Sequence, residues 1–169
     1  MDERLSSAIS ALISLGWEID VKERPDWSLP EAITKRYGKI PAQFEEFLTF
    51  IQSCVNSTDT AWLLCVGDYA GTSELAFAWN EFETMSVDAA VGYPAISAAV
   101  ELYWSTHLTI GQAVGSHYTY LALRLDDGSV VFGEELEFEE STVVAGSFYE
   151  LLEILTGQRE MPVVLQRFY

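Results

Sequence analysis

Positive charge is what this sequence has least of. Nine Lys and Arg stand against 26 Asp and Glu in 169 residues, a formal net charge of −17. Six of those bases, Arg4, Lys22, Arg24, Lys35, Arg36 and Lys39, fall in the first 39 residues, and from Ile40 to Leu123 there is none. The same stretch holds nine acids, and the remainder holds ten against Arg124, Arg159 and Arg167. Phosphate backbones and anionic lipid surfaces are bound by clustered Lys and Arg, so nucleic acid and membrane are excluded as partners.

Cysteine is also scarce. Cys54 and Cys65 form no CxxC pair and no disulfide framework. Two reduced, buried thiols in a cytoplasmic protein are expected. No apolar run approaches the ~20 residues that span a bilayer, and Asp2-Glu3-Arg4 is unlike the basic start of a secretory leader. The two histidines, His107 and His117, would need two further ligands for zinc, and the reading is two ordinary histidines at strand ends. Gly111-Gln112-Ala113-Val114-Gly115 lacks the Lys-Ser/Thr of a phosphate loop and reads as a bend between strands. Ser147 follows Gly146 without the second glycine of a nucleophile elbow. Carboxylate pairs would arise by chance among so many acids, and no acid is embedded in an apolar run that would raise its pKa. A non-enzymatic protein without cofactor or metal is expected.

Hydrophobic residues make up 49% of the chain and aromatics 13%, enough for a full core. Leu5, Ala8, Ile9, Leu12 and Leu15 have helical spacing, stopped by Gly16. An irregular link with Pro25 and Trp27 follows. Ser28-Leu29-Pro30-Glu31 reads as a capping box opening a short helix to Gly38. Pro41 starts a helix through Phe44, Phe47, Leu48 and Ile51, halted by Asn56-Ser57-Thr58-Asp59. Trp62–Val66 reads as a buried strand and Leu75–Trp79 as a poorly alternating second. Ser86–Trp104 is Ala-rich and helical in part; with Gly92 and Pro94 in its middle it reads equally as two short helices or as one.

From Leu108 the period becomes two. Tyr118–Leu125 places Leu121, Leu123 and Leu125 opposite Tyr120 and Arg124, and Asp126-Asp127-Gly128 turns it into Ser129–Phe132. Glu134–Glu140 alternates Leu136 and Phe138 with Glu135, Glu137 and Glu139, predicting a further strand. Ser147-Phe148-Tyr149-Glu150 is a second capping box, opening a helix that Gly157 closes, and Pro162–Tyr169 adds an edge strand or packs as a tail. Strands clustered after helices, with one hairpin, predict an α+β fold: a mixed or antiparallel sheet flanked by helices, in one domain over 1–169 with residues 1–39 as a helical extension.

This layout resembles the SUKH superfamily, which includes bacterial immunity proteins and a fungal cell-wall regulator. The resemblance is carried by Ile40-Pro41-Ala42-Gln43-Phe44-Glu45-Glu46-Phe47-Leu48, a strand ending near Gly67, His107-Leu108-Thr109-Ile110-Gly111, Tyr118–Leu125, Gly128-Ser129-Val130-Val131 and Val143–Leu152. It departs at Val55-Asn56-Ser57, where the family has Asn-Gly. The resemblance implies a SUKH-like domain with a non-enzymatic role, most often neutralising a toxin in the same cell.

The candidate interface is acidic. Asp126, Asp127, Glu134, Glu135, Glu137, Glu139 and Glu140 fall within fifteen residues that hold no base. A uniform spread of charge over a surface of about 8,300 Å² would put fewer than roughly two net charges in an ~800 Å² interface. On a strand, Glu135, Glu137 and Glu139 would form a ladder of like charges, costly unless solvent or a cationic partner offsets it. Such acids also discourage edge pairing, and that reading stays open. Tyr69, next to Asp68, and Trp79, beside Asn80, Glu81 and Glu83, are candidate aromatic anchors if exposed. The expected partner is a basic protein, a nuclease-like toxin domain. The alternative is a regulatory or scaffold module without a toxin partner. Nothing in the pattern indicates a homo-oligomer.

Overall fold

A computed structural model describes residues 1–25, 27–75 and 77–168 of the chain, without the side chain of Arg167. Among the described residues, seven strands form one sheet: β1 (Glu18–Val21), β2 (Ile51–Val55), β3 (Ala61–Leu63), β4 (His107–Val114), β5 (Tyr118–Arg124), β6 (Val130–Glu134) and β7 (Thr142–Ala145). Their spatial order is their chain order, and every neighbouring pair is antiparallel. The fold is α+β, and of the two sheet types expected it is the antiparallel one.

Among the described residues, seven α-helices accompany the sheet: α1 (Glu3–Ser14), α2 (Glu31–Tyr37), α3 (Ala42–Phe50), α4 (Val66–Tyr69), α5 (Glu81–Ala89), α6 (Pro94–Thr106) and α7 (Phe148–Leu155). They cover both faces, which the alternation along β5 makes possible. Leu121 and Leu123 join α1, α3 and α7 in the larger cluster, where Phe148 meets Phe44 and Phe47 edge-on at 5.0 and 5.2 Å. Tyr120 and Ala122 point the other way and join Phe82 of α5 and Trp104 of α6. A strand covered on both faces must alternate between two apolar sets, and that is why β5 carries so few polar side chains.

Several local expectations need correction. Residues 1–39 hold a strand as well as helices: α1 buries Leu5, Ile9 and Leu12, and β1 pairs with β2 as the sheet's edge. Leu15, expected on that buried face, is exposed. The strand β1 escaped notice because it is four residues long and mostly solvated. The helix begun at Pro41 ends at Phe50, and Ile51 opens β2 with extended backbone. Ile51 is buried in either conformation, so helical spacing alone could not locate the boundary. The first capping box does not form, since Pro30 is the N-cap of α2 and makes no side-chain bond. At α7, Ser147 does cap, accepting the Glu150 N–H at 3.2 Å.

β3 stops at Leu63, and the chain turns into α4, where Asp68 accepts the Cys65 N–H at 2.6 Å. Leu75–Trp79 is not a strand in its described residues, with Ala76 outside them. The supposed bend at Gly111 lies inside β4. There β3 and the chain's end crowd in, and a Cβ would sit 3.1 Å from both Leu63 and Phe168. The last described residues form a 3-10 helix, Val163–Phe168, that buries Leu165 and Phe168. Cys54 and Cys65 are free, buried thiols, and burial pushes Cys54 up to about 12.

Candidate functional site

The acids singled out in sequence do not share one surface. Asp126 and Asp127 sit in the β5–β6 turn, whereas Glu134 pairs with Thr119 near the opposite end of β5. At strand rise the two groups are roughly 20 Å apart. In the turn, Arg124 pairs with Asp127 and, at 3.3 Å, with Asp126, while Asp127 accepts the Ser129 N–H at 2.9 Å. The Arg124 guanidinium and that N–H hold the Asp127 carboxyl well below the usual carboxylate range. These two acids close a turn.

Nor do Glu135, Glu137 and Glu139 form a ladder. β6 ends at Glu134, and residues 135–141 are a loop crossing to β7. The alternation has a different cause from a strand's. Phe138 is buried, stacked on Phe82 at 4.9 Å, whereas Leu136 is 95% exposed.

The loop is fastened from beneath. Tyr120 on β5 donates its hydroxyl to the Phe138 carbonyl. The Tyr103 hydroxyl of α6 lies 2.7 Å from that of Tyr120 and 2.7 Å from Ser141 Oγ. Burial raises the pKa of both phenols, so they remain protonated hydrogen-bonding groups. Trp104 Nε1 donates to Glu139 Oε1 at 2.6 Å, and Glu135 accepts the Tyr118 N–H at 3.2 Å. Glu139 and Glu135 are therefore held in place, while Glu137 and Glu140 project into solvent with no cationic partner among the described residues.

Between this loop and the α5–α6 pair runs a groove of about 460 Å³. Met85 and Ala89 of α5, Ala90 just after it, and Ile96 and Val100 of α6 line it, with Glu135–Glu140 as the facing wall. Ile96 is 52% exposed there, and Leu102, further along α6, is 69% exposed. An apolar trough beside a wall of carboxylates suits a partner that brings both apolar anchors and positive charge. Sequence reasoning found the wall and missed the trough. The available signal was α6 itself, where Ala95, Ile96, Ala99 and Leu102 put an apolar side opposite the polar stripe Ser97, Glu101 and Ser105.

The aromatic candidates lie elsewhere. Tyr69 is only 4% exposed and donates its hydroxyl to the Thr109 carbonyl at 2.6 Å. Trp79 is half-buried against Tyr37 and Tyr69, and its neighbour Glu83 is taken by Arg36 in a bidentate pair at 2.7 and 2.9 Å. Tyr69 packs in the interior and is not an exposed anchor, whereas Trp79 lies partly exposed at the core's edge. His107 stacks on Tyr103 at 3.9 Å, with Nδ1 2.8 Å from the Tyr103 carbonyl oxygen. Among the described residues no three His, Cys, Asp or Glu gather in a metal-binding group, and no helix is long and apolar enough to cross a membrane. No protein-family model, curated protein or solved structure matches the chain.

Proposed function

We propose that this chain is a non-enzymatic binding protein, an immunity-type inhibitor of the SUKH kind whose partner is a basic, nuclease-like toxin domain. The observation that carries the reading is the apolar groove walled by Glu135, Glu137 and Glu140, on a chain with no Lys or Arg from Ile40 to Leu123. Carboxylates beside an apolar trough attract a cationic surface over a Debye length and then let desolvated contacts hold it. A nuclease carries such a cationic surface for its own phosphate substrate, and covering it would block the enzyme. The groove also contributes Leu136, an exposed apolar side chain between two acids, as an anchor.

The test is affinity capture from the native cell, followed by association kinetics and nuclease assay with the captured protein. A basic protein whose nuclease activity falls on adding this chain is the expected result. Replacing Glu135, Glu137 and Glu140 together by Lys should slow association at least tenfold at 50 mM salt, with the difference shrinking at 500 mM. An acidic partner, an uninhibited enzyme, or unchanged association after the triple reversal would overturn the reading.

A further inference from the structure

The occupant of the groove can be narrowed from its walls. Two helices and a loop form it, whereas the free sheet edges are β1 and β7. An extended segment laid here would find no ladder to satisfy its backbone, whereas a helix brings its own hydrogen bonds. The shape of α6 agrees. At 100° per residue, Ile96, Ala99, Ala95 and Leu102 fall within one sector of roughly 120°, running outward from the groove. Ala95, Ala99 and Leu102 are all exposed. Small side chains along such a sector let a second helix approach to the 8–10 Å typical of packed pairs.

Charge decides between a partner and a second copy. Asp88 on α5, and Glu137 and Glu140 on the loop, are exposed beside the groove. Two copies meeting here would bring these acids, and two net charges of −17, into opposition. A segment with Lys or Arg flanking an apolar stripe meets no such penalty.

We infer that the groove receives a basic amphipathic helix of the partner protein, laid along α6 with its apolar stripe on Ile96, Ala99, Leu102 and Leu136. This rests on the groove being the docking surface, and it names what docks.

Two designed 18-residue peptides test it. Both contain the same numbers of Leu, Lys and Gln, with Leu at helical spacing in one and in strict alternation in the other. Binding is read by titration calorimetry at 150 mM salt, and the site by amide exchange over 81–106 and 135–141. The helical-period peptide should bind at least tenfold more tightly and protect those segments. Ala89→Glu, at an exposed position of the groove, adds negative charge while filling the trough. It should weaken the helical peptide at least tenfold with its circular dichroism unchanged. Asp20→Lys/Asp59→Lys, on the acidic surface beside β2, should change binding less than twofold. Equal binding of the two peptides, both weakened by Ala89→Glu, would overturn the helix and leave the groove reading standing. Binding unaffected or strengthened by Ala89→Glu would overturn both, because charge alone would then account for it. A concentration-dependent dimer, seen by sedimentation and abolished by Ala89→Glu, would assign the face to a second copy and overturn the inference.

Discussion

In the β5–β6 ladder Gly133 faces Tyr120, and the Tyr120 ring lies where a Cβ on Gly133 would project. The ring is fully buried there, between Phe82, Trp104 and Phe138 at centroid distances of 5.1–6.3 Å. A side chain at 133 must displace that ring, and the ring is held by its own hydroxyl, so relief by rotation is blocked. Gly133→Ala should therefore cost about 2–3 kcal/mol, in the range of overpacked cores. Gly115→Ala is the control, since a Cβ there meets nothing within 4 Å. Urea unfolding of the two variants checks the argument. A Gly133→Ala midpoint no lower than that of Gly115→Ala would show that the ring does not depend on the missing side chain. Nothing in Val130-Val131-Phe132-Gly133-Glu134 announces this role, because a glycine that makes room for a cross-strand ring looks in sequence like any strand glycine.

The loop 135–141 is the element where sequence pattern and physical cause part company. Its alternation of acids with Leu136 and Phe138 has the period of a strand, yet only Phe138 is buried. Period two records which side chains avoid water, and here the fixed point is one aromatic plug seated on Phe82. Where a pattern did reflect continuous burial, it was legible. Examples are the α1 stripe, the Pro41 helix as far as Phe50, the β5–β6 hairpin and the cap of α7. The short edge strand β1 and the helix-to-strand change at Ile51 were not legible. Each depends on what packs against it from far along the chain. Of the candidate site, the carboxylates were legible and the trough was not, since it exists only where α5, α6 and the loop meet. The loop's attachment can be measured. Tyr120→Phe keeps the ring and removes the donor to the buried Phe138 carbonyl, at an expected cost of about 1–3 kcal/mol. Amide exchange over 136–141 should accelerate by more than the loss of global stability explains, while β4 and α7 follow the global change alone. Uniform acceleration across the chain would mean that the hydroxyl contributes to the core and does not hold the loop.

Over the whole molecule, a net charge of −17 is spread on a surface of 8663 Å². Several of the scarce bases are already engaged within the chain. Arg4 and Arg159 meet on Glu153, Arg36 takes Glu83, and Arg124 takes Asp126 and Asp127. Pairs at an exposed surface contribute little each, whereas the uncompensated acids repel one another through the folded state. Screening length falls from about 30 Å at 0.01 M salt to about 3 Å at 1 M, which weakens long-range repulsion more than contact pairs. The isolated protein should accordingly gain stability with salt. Its Tm should rise between 10 mM and 500 mM NaCl, each kcal/mol of relief corresponding to about 2–4 °C at this chain length. Calorimetry over that range checks it, and a falling Tm would mean that the ion pairs outweigh the repulsion. Partner binding through the acidic wall must respond in the opposite sense, because the field that burdens the free protein is the one that draws in a cation. Salt that stabilises the fold should weaken the complex. The Glu135, Glu137 and Glu140 reversal to Lys should flatten both dependences together, since it removes from one wall the charge that drives each.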